Sequence, residues 1–207
     1  MTSFISATGI AIVPVTTAHA GALATLVASN IEHLHTYLPD ATALASTTAA
    51  EAHLEAAAER ARKGEVYEWH LFTDATLCGA IRLKDIDHGD RKAKIGYFIG
   101  SQFQGKGIVT SSVRAVLAHC FASLGLNRVE LRCAAGNAQS RRVAERLGFT
   151  HEGLLRQDEF LNGVFVDLHV YSLLREEFVS CAQGKESIEA LPVLQSIAPG
   201  SQGCRSL

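Results

Sequence analysis

The chain has 207 residues, 47% hydrophobic and 19% charged, with a formal net charge of −2. That length and balance suit one domain with a real core and exclude a disordered chain. A charge so close to zero excludes a global field that would draw nucleic acid or an anionic membrane, so a bound polyanion must be gripped by a local pocket. No apolar run reaches 18 residues, and the start Met1-Thr2-Ser3-Phe4 reads as neither a signal peptide nor a membrane span, so a cytoplasmic protein is expected. The cysteines at 78, 120, 133, 181 and 204 are scattered, lie mostly in apolar context and lack CxxC spacing, which predicts free core thiols.

In chain order, 9–15 (GIAIVPV) predicts a short strand. Thr16 or Thr17 then caps a helix whose face is Leu23, Leu26, Val27, Ile31 and Leu34. A second helix is expected over 48–62, stopped by Gly64. Three strand-like runs follow at 66–73, 77–86 and 93–100, separated by Asp74-Ala75-Thr76 and His88-Gly89-Asp90, which predicts an antiparallel meander. The period then changes to 3.6: Val109, Val113, Val116, Leu117, Cys120, Phe121 and Leu124 share one helical face, ended by Gly125. The strand 128–133 comes next and should lie parallel to the strand before that helix. A basic helix, 139–147, closes at Gly148, and a hairpin, 153–160 with 164–174, turns at Asn162-Gly163. From 183 the chain loses periodicity, so a domain over 1–182 and a mobile tail over 183–207 are expected. The fold class is therefore α/β (α+β), with a mixed, mostly antiparallel sheet flanked by helices.

The loop between the meander and the first amphipathic helix carries chemistry. Gly100 to Lys106 has the spacing of a nucleotide P-loop, but Gly107 stands where a magnesium-binding hydroxyl belongs, and the preceding strand lies in an antiparallel meander. A dinucleotide fingerprint fails at Thr110. Glycines at 105 and 107 before a helix N-terminus still let a phosphate approach main-chain amides without a Cβ in the way. Glycines that serve only the turn are the plainer reading.

Two stretches decide among these. Gln102-Phe103-Gln104-Gly105-Lys106-Gly107, and then Asn137, Ser140 and Leu147-Gly148-Phe149, resemble the two signatures of the GNAT superfamily of N-acetyltransferases, at that family's separation. Residues 96–113 and 157–174 resemble its RimJ/RimL branch in particular, the N-terminal acetyltransferases of ribosomal proteins, and the resemblance covers about 9–175.

The resemblance implies a twisted sheet with a splayed parallel pair, acetyl-CoA as cosubstrate, no metal, and direct attack of an amine on the thioester. It implies a coenzyme site made of Tyr97, Phe98 and Ile99 on the strand, the amides of Gln104, Gly105, Lys106, Gly107, Ile108 and Val109, and Asn137. Lys106 adds charge, and Arg141 or Arg142 could approach the phosphates. Glu159 matches the branch's general base. An α-amine, with a pKa of about 8, suits a carboxylate base better than a lysine near 10.4. Ser140 stands where the branch has a proton donor to the thiolate; the tyrosine many relatives use is replaced by Ala144. Strand alternation sets Asp158 on the opposite face from Glu159. Asn30, His33 and Leu34 lie where the superfamily builds its acceptor groove. His33, His35 and His53 lack metal spacing, and Trp69 favours the core over substrate stacking. The expected acceptor is a protein N-terminus, with neither nucleic acid nor membrane as partner and a homodimer left open. A detoxifying acetyltransferase of small amines and a non-catalytic acyl-CoA sensor are the rivals.

Overall fold

The structure is a computed structural model and describes residues 2–183. Its sheet opens with a strand too short for the sequence to mark: β1 (Phe4–Ile5) pairs antiparallel with β2 (Ala11–Pro14). The helix expected after Thr16 is broken. A 3-10 turn over Thr17–His19 leads to α1 (Ala20–Ala28), and the chain restarts as α2 (Ile31–His35). The cause lies at Asn30, whose Nδ2 donates to Leu26 O at 2.9 Å and whose φ of −134° leaves the helical region. Ile31 consequently turns outward, 43% exposed, whereas Leu23, Leu26, Val27 and Leu34 are buried as their spacing predicts.

After a 3-10 segment at Pro39–Ala45 comes α3 (Thr47–Arg62). The meander follows as β3 (Tyr67–Thr73), β4 (Thr76–Asp87) and β5 (Lys92–Ile99), all antiparallel. Then come α4 (Ile108–Ala122), β6 (Arg128–Ala134) and α5 (Ala138–Leu147). The closing hairpin is β7 (Thr150–Leu161) with β8 (Val164–Leu174), and α6 (Arg175–Gln183) ends the described chain. Of the expected tail, Gln183 closes α6 and 184–207 lies outside the described residues.

The strand order is β1-β2-β3-β4-β5-β6-β8-β7, and β5–β6 is its one parallel pair among the described residues. Alternation along each strand sends side chains to two separate cores. Trp69, Leu71, Ile81, Leu83, Val129 and Leu131 face α4 and α5; Trp69 is wholly buried there, its indole N–H donating to Thr2 O at 3.3 Å. The opposite core joins α1, α2 and α3 through Leu23, Val27, Leu34, Leu54 and Leu77. Two helical layers thus sandwich the sheet, and the loops after β5 and β6 meet at the same end of it.

Candidate active site

β5 and β6 pair only at Lys92–Arg128, Ala93–Val129 and Lys94–Glu130. Beyond that point they part. β5 stays with β4 as far as Ile99 opposite Gly79, while β6 stays with β8 as far as Ala134 opposite Leu168. The backbone groups of Ile95–Ile99 that face β6 therefore have no strand partner, and a main chain in that state demands donors and acceptors. An extended ligand arm lying in the cleft can supply them as an added strand. Tyr97, Phe98 and Ile99 line this edge, with the first two half-buried.

At the mouth of the cleft the chain turns through Ser101–Phe103 into the glycine loop. Gly105 and Gly107 hold φ of 74° and 72°, the left-handed region that costs other residues roughly 1–2 kcal/mol. A Cβ on either would meet nothing within 4 Å, so the space before the loop is open. Gly107 is the N-cap of α4 and offers no side chain to the first amides of the helix, which include those of Ile108 and Val109. Those N–H groups and the helix dipole make a seat for an anion. Lys106 Nζ lies 5.7 Å from the centre of the Phe103 ring. Gln104 Nε2 meets His33 Nε2 at 2.9 Å and donates to Gln139 Oε1 at 3.2 Å, lacing the loop to α2 and α5.

α5 forms the other wall. Asn137 Oδ1 accepts from Ser140 N at 3.0 Å, an N-cap that fixes the start of the helix. Ser140 Oγ lies 2.8 Å from Tyr97 Oη. This hydrogen bond spans the splay, with one partner on β5 and the other on α5. Burial pushes the Tyr97 phenol well above its ordinary range, and pushes the nearby Cys133 thiol up to about 11. Neither group ionises at neutral pH. Nothing in the sequence motif pairs Tyr97 with Ser140; the signal would have been two hydroxyls flanking a splay whose depth only the sheet register reveals. Arg141 is half-buried with its Nε lacking a partner among the described residues, and Arg142 is exposed.

On the acceptor side the expected contacts divide. Asn30 is 3% exposed, and its Oδ1 accepts from both Ser101 N and Ser101 Oγ at 2.8 Å. Leu34 is 3% exposed within the helical core. Leu34 thus belongs to the core, whereas Asn30 holds the start of the loop at Ser101 and His33 meets its Gln104. Glu159 is exposed and makes no hydrogen bond or ion pair with the described residues. The alternation expected at Asp158 is broken, because β7 bulges between Leu155 and Glu159, with Gln157 at φ 52°. Asp158 instead reaches Arg132 Nη1 at 3.3 Å. Glu159 lies opposite Val166, which packs with Ala134, Leu161 and Tyr37, so both carboxylates address the Arg132–Ala134 face of the sheet. A cavity of about 460 Å³ lies between the end of β6, Tyr37 and the hairpin. The turn residue Asn162 bridges it, donating from Nδ2 to His35 O at 3.0 Å.

The sequence profile described as "Acetyltransferase (GNAT) domain" matches residues 10–150. The chain belongs to the GNAT acetyltransferase family. Its splayed β5–β6 pair in a mostly antiparallel sheet is the GNAT fold. The structure superposes on that of "RimL- Ribosomal L7/L12 alpha-N-protein acetyltransferase in complex with Coenzyme A" with a TM-score of 0.79 and 27% identity, covering 84% of this chain and 98% of that one. It also matches the Microcin C7 self immunity acetyltransferase MccE in complex with acetyl-CoA and AMP, with a TM-score of 0.76, 27% identity and coverage of 80% and 92%. By sequence it is 34% identical over 111 residues to the ribosomal-protein-serine acetyltransferase of Escherichia coli (strain K12), 54% of this chain and 62% of that one. The chain spans 59% to 67% of the length of the first curated relatives it matches.

Proposed function

We propose that this GNAT chain transfers an acetyl group from acetyl-CoA to the N-terminal α-amine of a protein, with a ribosomal protein as acceptor. The observation that carries the reading is the open cleft between β5 and β6, with an anion seat at its mouth and a hydroxyl on its wall. The coenzyme's diphosphate rests on the amides from Gly105 to Val109, where main-chain donors do the work of a metal; the Gln104 N–H, expected to join them, is spent on Ser101 O at 3.2 Å. The pantetheine arm pairs with Tyr97, Phe98 and Ile99 and receives the Asn137 amide from the other side. Glu159, unpaired and on the acceptor face, takes the proton of the attacking amine directly or through water. The amine nitrogen bonds to the thioester carbonyl, the carbon–sulfur bond breaks, and Ser140 donates a hydrogen bond to the departing sulfur, which takes its proton from solvent. A protein acceptor is favoured by the likeness to RimL and to the E. coli ribosomal-protein-serine enzyme. The likeness to MccE supports a small-molecule acceptor as the second reading.

The test is free-thiol release from acetyl-CoA with purified ribosomal proteins, peptides with free N-termini, and aminated antibiotics as acceptors. Turnover with a ribosomal protein supports the proposal; turnover with antibiotics alone selects the second reading. Tight coenzyme binding without turnover on any amine makes the chain an acyl-CoA sensor. Glu159→Gln should lower kcat at neutral pH by roughly 10²-fold or more, with coenzyme affinity unchanged. Unchanged activity removes Glu159 from the mechanism.

A further inference from the structure

We propose that Tyr97 is a positioning residue whose phenol donates to Ser140 Oγ and thereby turns the serine's own proton into the β5–β6 cleft, toward the departing sulfur. The inference rests on the reading of Ser140 given above. A hydroxyl has one proton and two lone pairs, so in a pair of hydroxyls only one proton is spent on the contact. Tyr97 and Ser140 are 2.8 Å apart, one on each wall of the splay. Ser140 has little other freedom, because its backbone N–H is held by Asn137 Oδ1 at 3.0 Å. The direction of its O–H is the variable that remains.

Two neighbours compete for that proton. If Ser140 donates to Tyr97, the proton is lost to the cleft. It is lost likewise if it turns to Cys133, which lies close enough to feel the same hydroxyl. A donating phenol excludes the first outcome and, by occupying one lone pair of Oγ, directs the O–H away from the sheet. During transfer the carbon–sulfur electron pair goes to sulfur, and the Ser140 O–H donates a hydrogen bond to the thiolate as it forms. A thiol is a far stronger acid than a serine hydroxyl, so the sulfur takes its proton from solvent. Tyr97 and Ser140 both keep their own protons throughout. It occupies a position in β5, in contrast to the helix position that Ala144 fills here.

The experiment is a double-mutant cycle on the full chain with acetyl-CoA and a peptide bearing a free N-terminal amine, following thiol release, with coenzyme Kd and melting measured for each variant. Tyr97→Phe keeps the ring and should lower kcat about 10- to 100-fold, with coenzyme Kd within about twofold. In the Ser140→Ala background the same change should cost nothing further. An acetyl thioester of a more acidic thiol should shrink the Tyr97→Phe deficit, since its leaving group needs that hydrogen bond less; a merely structural defect would not respond. A full additional loss in the Ser140→Ala background, or wild-type kcat for Tyr97→Phe, overturns the proposal. If Tyr97→Phe melts early, Tyr97→Met supplies a second non-donating side chain for the same cycle. Wild-type rates for Ser140→Ala in an active enzyme overturn this inference while leaving acetyl transfer standing. An inactive wild type with every amine overturns both.

Discussion

Asn30 shows what a buried polar side chain does for the fold. It sits in the segment where the superfamily's groove is expected, yet every polar atom of its amide that the fold can reach is spoken for. Nδ2 donates to Leu26 O, and Oδ1 accepts from Ser101 N and Oγ. Its work is to end α1 and to anchor Ser101, the second residue after β5 and 71 positions away in sequence. Asn30→Ala strands the Ser101 N–H and the Leu26 carbonyl in a site that is 3% exposed. A stability loss of about 1–3 kcal/mol is expected, read by chemical denaturation, with the acceptor KM little altered. A raised KM without loss of stability would restore Asn30 as an acceptor contact. Glu159 is the opposite case: its carboxylate has no partner among the described residues, which is what the proposed role of base requires.

Among the elements, the turn from β5 into α4 depends on glycines that work in two different ways. Gly79, on β4 opposite Ile99, has a backbone neighbour where a side chain would be: a Cβ there would lie 2.4 Å from Phe98 O. Gly79→Ala must push β4 from β5 at the end where the cleft opens. Overpacking of this kind costs roughly 1–3 kcal/mol, which in a domain of this size lowers Tm by about 2–10 °C. Gly107 instead faces open space at a left-handed φ. Gly107→Ala should cost about 1–2 kcal/mol for its left-handed φ and, beyond that, weaken coenzyme binding strongly, because the new methyl occupies the approach to the α4 amides. Coenzyme titration beside calorimetric melting separates the two, and intact binding for Gly107→Ala would remove the loop from the site. The bulge in β7 is the element-scale feature that alternation could not supply. Its sequence, Leu155 to Glu159, reads as plain strand, and the extra residues are visible only in the pairing to β8.

Across the whole molecule, the polar seam between the sheet and α3 sets the acid limit of the fold. His70 is fully buried in β3, with Nδ1 3.1 Å from His19 Nδ1 and Nε2 without a partner among the described residues. Burial drives its pKa down to about 4, and the like charges of His19 and His53 add to this, against the pull of Glu68. Glu68 itself is held below its usual range by His53, 3.0 Å away, and by Arg82, although burial opposes its charge. The sign follows from linkage. Above about pH 6.5 His70 is neutral whether folded or unfolded. As the pH falls toward 4 the unfolded chain takes up a proton that the folded one refuses, so stability falls. The loss is on the order of 3 kcal/mol over that window. His70→Phe should flatten the acid limb of the Tm–pH profile between 6.5 and 4, with little change at pH 8. An unchanged slope would place the acid sensitivity elsewhere.

Most of the elements, and the class of ligand, were legible in the chain alone. Apolar spacing marked three meander strands, two of the flanking helices and the Asn162-Gly163 turn, because burial of one face imposes a period that local composition must keep. Gly105 and Gly107 before an apolar helix marked an anion seat for the same local reason. Only the tertiary structure decided how far β5 and β6 stay together, where α1 breaks, and which hydroxyl faces Ser140. Each of these is set by contacts between residues distant along the chain: Lys94 with Glu130, Asn30 with Ser101, Tyr97 with Ser140. A periodicity is written within a dozen residues, whereas a splay, a helix break and a hydroxyl pair are agreements between segments that meet only when the sheet has closed.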